Sequence, residues 1–221
     1  MILLRIYIET MIRIKVCGLV NLLNVKAIAE VKPDFMGFIF YQGSPRYVGE
    51  RPEKGLFRNV PSGIKKVGVF LNENNHNIIK ISGNAGLDMI QLHGDESAVS
   101  CLQLKSSGLT IIKAFKINRD FSFESLYQFM PVCDYFLFDT KSEKPGGSGR
   151  KFDWEKLKEY SLGRPFFLSG GIGPEDADII KSMQNSGLFA IDINSRFETA
   201  PGIKDAGRVK TFIEKIKNDQ R

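Results

Sequence analysis

The chain has 221 residues, a formal net charge of +6 and three cysteines, with 43% hydrophobic and 25% charged residues. That composition suits one globular domain with a sizeable core and excludes a disordered chain; the scattered Cys17, Cys101 and Cys133 exclude a disulfide framework or paired metal ligands and fit a reducing cytoplasm. The positive charge is spread along the chain and thickest in "KDAGRVKTFIEKIKNDQR", so it reads as a solvated surface that attracts small anions rather than as a nucleic-acid interface.

In chain order, "MILLRIYIET" comes first, apolar but too short to span a bilayer and without the basic region or cleavage site of a targeting signal. Residues 1–10 are therefore an upstream start or an added edge strand, and residues 11–221 form the single domain. From Met11 onward, short β-rich runs alternate with helical stretches. The strands are "IRIKVCG", "DFMGFIF", "IKKVGVFL", "DMIQLH", "TIIKAFKI", "DYFLFDT", "PFFLSG" and "LFAIDIN". Helical patterns follow the first in "NLLNVKAIAEV", the fourth in "DESAVSCLQL", the sixth in "FDWEKLKEY" and the seventh in "GPEDADIIKSM"; "KDAGRVKTFIEKI" closes the chain. Strands apolar on both faces, joined by crossover helices, imply parallel pairing in an open doubly wound sheet or a closed barrel. Eight such units within residues 11–221 fit a single (β/α)8 TIM barrel of the α/β class.

Polar or reactive residues recur at the strand ends: Cys17, His93, Asp139, "SGG" at 169–171 and "DINSR" at 192–196. In a barrel these converge on one mouth, where active sites of this fold lie. That convergence weighs against Cys17 being merely a small buried hydrophobe. "KPGGSGRKFDW" lacks the Gly-Lys-Ser/Thr ending of a nucleotide loop; it is either a lid hinged at Gly146, Gly147 and Gly149 or a plain solvent loop. "LSGGIGPEDA" places Gly170 and Gly171 before a helix start, where backbone N–H groups can face an anion. Two histidines, His76 and His93, cannot build a zinc site, so no metal is expected, and His93 either orients neighbouring groups or packs at the rim.

Seven stretches from Met11 onward resemble phosphoribosylanthranilate isomerase of tryptophan biosynthesis: "KVCGL", "GFIFYQGSPRYV", "VGVFLN", "QLHGDE", "FDTKSEKPGGSGRKFDW", "LSGGI" and "IDINSRFE". The resemblance implies a (β/α)8 barrel that carries out an Amadori rearrangement without cofactor or metal. It implies Cys17 as general base, Asp139 as general acid and Arg46 as the holder of the anthranilate carboxylate. It also implies phosphate binding by Gly170, Gly171, Asn194 and Ser195, with Asp192 accepting a ribose hydroxyl. The apolar sequence neighbours of Asp139 are expected to desolvate it, and Lys15 to help ionise Cys17. Where many members have Ser-Ser-Gly, this chain has Asn194-Ser195-Arg196, so Arg196 is a further candidate at the phosphate. Two other readings are an isomerase of another phosphosugar, against which Cys17 argues, and a non-catalytic binder of phosphate compounds or nucleic acid. A cytoplasmic monomer is expected, because no helix has an unusually apolar outer face.

Overall fold

Strands buried on both faces need cover inside and outside, and a closed sheet ringed by helices supplies both. The computed structural model describes residues 11–140, 153–183 and 187–217. Its eight parallel strands close in sequence order into one barrel. They are β1 (Arg13–Cys17), β2 (Phe35–Ile39), β3 (Lys65–Phe70), β4 (Met89–Leu92), β5 (Thr110–Ile117), β6 (Tyr135–Thr140), β7 (Phe166–Leu168) and β8 (Leu188–Ile193). Closure is made by β1 on β8, in register from Arg13 opposite Ala190 to Val16 opposite Ile193.

The outer layer is less regular than the inner one. Helices α1 (Leu22–Glu30), α2 (Asn75–Ala85), α3 (Ala98–Ser106), α4 (Ala177–Ser182) and α5 (Ala206–Lys217) follow β1, β3, β4, β7 and β8. Each of α1, α2 and α3 starts on a side-chain cap, from Asn21, Asn74 and Ser97 respectively. After β2 the chain runs in turns, because Pro45, Pro52 and Pro61 and the intervening glycines deny it a continuous ladder. The helix expected in "FDWEKLKEY" is a 3-10 helix over Trp154–Glu159, and another, Phe123–Phe129, stands after β5. Residues 1–10, and the glycines of the expected lid, lie outside the described residues.

Side chains alternate across each strand, so residues two apart share the barrel interior. The lower interior is apolar, with Phe35, Val67, Met89, Ile112, Leu137 and Phe167 among its members. Above that layer the interior turns polar at Lys15, Gln91 and Asp192, all buried. One step higher on the same strand faces stand Cys17, His93, Asp139 and Asn194, at the mouth. A larger apolar cluster, including Phe138, Phe166, Phe197 and Phe212, lies between the sheet and the outer layer. Among the described residues no helix is long and apolar enough to cross a membrane.

Candidate active site

The C-terminal mouth of the barrel opens into a cavity of about 900 Å³, including its open entrance. Cys17 on β1 and Asp139 on β6 both line it, as do Gly170, Gly171, Asp192, Asn194 and Ser195. Its other wall is largely apolar, from Ile39, Val69, Phe70 and Leu71 with Tyr41. One pocket therefore offers a thiol, a carboxylate, bare glycine backbone and an apolar wall.

Cys17 owes its place to a neighbour that has no side chain. A Cβ on Gly37, its partner on β2, would lie 2.7 Å from the Cys17 sulfur and 3.0 Å from the Cys17 Cα. Burial pushes the Cys17 thiol up, against the opposing pull of Lys15 and, more weakly, Lys204, while the Asp192 carboxylate adds to the upward shift. Lys15 does favour ionisation, as expected, but burial outweighs it and the resting group is a thiol. Lys15 itself is fully buried, with Nζ 2.9 Å from both Asp192 carboxylate oxygens and 2.9 Å from Gln91 Oε1. Burial pulls the Lys15 pKa down, but the Asp192 carboxylate, joined by Cys17 when it is ionised, carries it above the ordinary lysine value. Asp192 is thus engaged below the mouth by a lysine.

Asp139 stands in polar surroundings, unlike the apolar setting its sequence neighbours suggested. Phe136 and Phe138 belong to the outer cluster, since they alternate with Leu137 and Asp139 along β6. The Asp139 side chain keeps 23% of its surface exposed and lies 3.3 Å from His93 Nε2. Its Oδ1 accepts the Thr140 backbone N–H at 2.8 Å. Opposite, Gly170 adopts φ +95°, and a Cβ there would lie 2.7 Å from Thr140 N and 2.8 Å from Asp139 Oδ1. The left-handed conformation and the close approach both demand glycine at this position.

Arg46 and Arg196 are both held by carboxylates. The Arg46 guanidinium turns its Nε and Nη2 edge onto Glu198, at 2.8 Å to Oε1 and 2.7 Å to Oε2. Glu198 also accepts hydrogen bonds from Lys204 Nζ and the Gly202 backbone, and Lys204 Nζ reaches Asn194 Oδ1 at 2.6 Å. Burial pulls the Glu198 pKa up, but Arg46 and Lys204 outweigh it and hold the carboxyl below its ordinary range. Arg46 is 7% exposed and runs beside Gly18, where a Cβ would meet both Arg46 Cδ and Asn194 Oδ1 at 2.8 Å. Arg196 is half-exposed, pairs with Glu175 at 2.6 Å and does not line the cavity. Sequence reasoning singled out neither Glu198 nor Lys204 nor Gln91; Gln91 and Glu198 sit inside quoted motifs, but each is fixed by a cation distant in sequence, Lys15 for Gln91 and Arg46 for Glu198.

The family model for N-(5'phosphoribosyl)anthranilate (PRA) isomerase matches residues 14–215. The N-(5'-phosphoribosyl)anthranilate isomerase of Phocaeicola vulgatus is 43% identical over 204 residues, covering 92% of this chain and 97% of its own. That of Petrotoga mobilis is 38% identical over 207 residues, covering 93% and 97%. Among solved structures, phosphoribosyl anthranilate isomerase from Thermotoga maritima superimposes with a TM-score of 0.82 at 31% identity, covering 94% of this chain and all of its own. A phosphoribosyl anthranilate isomerase in complex with reduced 1-(o-carboxyphenylamino)-1-deoxyribulose 5-phosphate gives a TM-score of 0.80 at 30% identity, over 94% of this chain and all of its own. A closed barrel with a thiol and a carboxylate at one mouth, matched along nearly its whole length, belongs to the N-(5'-phosphoribosyl)anthranilate isomerase family.

Proposed function

We propose that this chain converts N-(5'-phosphoribosyl)anthranilate to 1-(2-carboxyphenylamino)-1-deoxyribulose 5-phosphate in tryptophan biosynthesis, with Asp139 as acid and Cys17 as base. The observation that carries the reading is the single cavity lined by both groups from strands well apart around the ring. A rearrangement that adds a proton at one sugar atom and removes one at another needs two such groups.

Ring opening breaks the bond from C1 to the furanose oxygen. Asp139, entering protonated, delivers its proton to that oxygen while the anthranilate nitrogen lone pair forms the C1=N bond. The product is a cationic imine, which acidifies the hydrogen on C2. Cys17 takes that proton as a thiolate, and the electrons of the C2–H bond become the C1=C2 bond of a neutral enolamine. Loss of the O2 proton and gain of a proton at C1 give the ketone. Because burial keeps the resting Cys17 a thiol, its ionisation depends on positive charge nearby: Lys15, Lys204 and the imine itself. Measured from its resting thiol, Cys17 releases one proton on ionising and regains one from C2, so a turnover leaves only Asp139 short of a proton. The proton that Cys17 released, passed through water, restores the carboxyl.

Gly170, Gly171, Asn194 and Ser195 are assigned to the phosphate, since they bring uncluttered backbone to one side of the cavity. Arg46 is assigned to the anthranilate carboxylate. Glu198 occupies the Nε and Nη2 edge of its guanidinium, so a carboxylate would use the end-on Nη1 and Nη2 pair, which supplies two parallel hydrogen bonds. Arg46 is not itself among the residues lining the cavity, so the reading requires the substrate to reach past Ser44 and Asn194, which are. The apolar wall of Ile39, Val69, Phe70 and Leu71 suits the aryl ring. In this reading the chain is a cytoplasmic monomer with no nucleic-acid partner, and its large exposed apolar side chains, such as Leu23, Ile79, Leu102 and Ile179, are spread over four helices. The test generates phosphoribosylanthranilate in place and follows its fluorescence. Accelerated disappearance with the protein supports the reading; an unchanged rate contradicts it.

A further inference from the structure

Gln91 is 1% exposed and joins the two halves of the site. Its Oε1 lies 2.9 Å from Lys15 Nζ, and its Nε2 lies 2.7 Å from His93 Nδ1. Lys15 in turn holds Asp192, and His93 Nε2 lies 3.3 Å from Asp139 Oδ2. A continuous polar chain thus runs from beneath Cys17, across the barrel interior, to the Asp139 carboxylate.

The donors and acceptors along this chain admit one arrangement. An ammonium only donates, so Gln91 must present its carbonyl oxygen to Lys15; the reverse orientation would set an NH₂ against an NH₃⁺. The Gln91 amide nitrogen then faces His93, and because it too only donates, His93 Nδ1 must accept. An imidazole that accepts at Nδ1 carries its proton on Nε2, the atom facing Asp139. We propose that Gln91 is a positioning residue that fixes the tautomer of His93, and that His93 thereby presents an N–H to Asp139 and holds the carboxylate's orientation toward the substrate. The link to acid chemistry rests on the proposed function, whereas the tautomer does not. An amide does not relay protons readily, so the chain aligns the two reacting groups without connecting them as a proton wire.

The chain has two histidines, and His76 lies exposed on α2, so His76→Gln identifies the His93 resonances. Long-range ¹H–¹⁵N spectra of the ¹⁵N-labelled wild type should show His93 protonated at Nε2 with an acceptor-type Nδ1. A wild-type His93 protonated at Nδ1 overturns the proposal, and that measurement depends on no variant folding. Gln91→Glu keeps the shape but offers His93 Nδ1 an acceptor, so Nδ1 should gain a proton while Nε2 keeps the one facing Asp139; an Nδ1 that stays unprotonated overturns the proposal. Gln91→Leu should leave a mixture of tautomers and lower kcat ~10- to 100-fold at little-changed KM, the scale of a small misplacement of a reacting group. Normal kcat in folded Gln91→Leu overturns it as well. An inactive wild type with the Nε2 tautomer would contradict the proposed function and leave the Gln91 assignment standing.

Discussion

Cys17 is a thiol at rest because burial outweighs the two lysines that favour its anion. A difference spectrum of wild type minus Cys17→Ala should therefore show Cys17 less than half ionised at pH ~8.5, where an ordinary thiol is half ionised, with its midpoint at higher pH. Half-ionisation at or below that pH would contradict the assignment. Glu198 shows the opposite sign: its folded pKa is depressed, so its contribution to stability is fully present above the unfolded value of ~4.3 and is lost as pH falls through the folded value. Acid unfolding below pH ~4.3 should be less steep in Glu198→Gln than in wild type. At neutral pH the same variant should be less stable by about 3–5 kcal/mol, because it leaves Arg46 and Lys204 buried beside a neutral amide. Denaturant melts at several pH values check both statements; equal slopes in acid would sink the first.

At the scale of elements, β1 and β2 must approach bare at Gly37, where a methyl would press on both the sulfur and the backbone of Cys17. Gly37→Ala should cost about 1–3 kcal/mol by overpacking and reduce kcat by moving the thiol, which paired denaturation and turnover measurements would detect. An active, fully stable Gly37→Ala would mean that the strand pair has slack. All eight strands were legible from sequence, because runs such as "YFLF" are apolar on both faces, rich in β-branched or aromatic residues and too short for a buried helix. Helix α2 was not singled out, since Asn74, Asn75, Asn77, Ser82 and Asn84 give it few apolar positions and its signal lies in the Asn74 cap and in Gly86 at φ 60°. The strand-end residues Cys17 and Asp139 were equally legible. The pairing of Arg46 with Glu198 was not, because 152 residues separate them and only barrel closure makes them neighbours. For the same reason nothing in "QLH" discloses that Gln91 is clamped by Lys15 from β1.

Across the whole molecule, the barrel divides stability from chemistry along its axis. Below the Lys15, Gln91 and Asp192 layer, Phe167 packs edge-on to Phe35 and Tyr135, and Arg13 sits 4.4 Å from the Phe189 ring. None of these aromatic residues lines the cavity at the mouth. Phe167→Ala should therefore lower stability by about 3–5 kcal/mol while the folded fraction keeps near-normal kcat, as thermal melts and turnover per folded molecule would report. A large loss of kcat at full folding would mean that the floor also tunes the site. The central claim is that one mouth houses separate acid and base groups for the rearrangement of phosphoribosylanthranilate. Its most direct test is kcat for that substrate in Cys17→Ala and Asp139→Asn, with folding verified in each. Each variant should lose ~10²- to 10⁴-fold, the usual contribution of a positioned acid or base; a folded Cys17→Ala enzyme that turns over at near wild-type rate would contradict the claim.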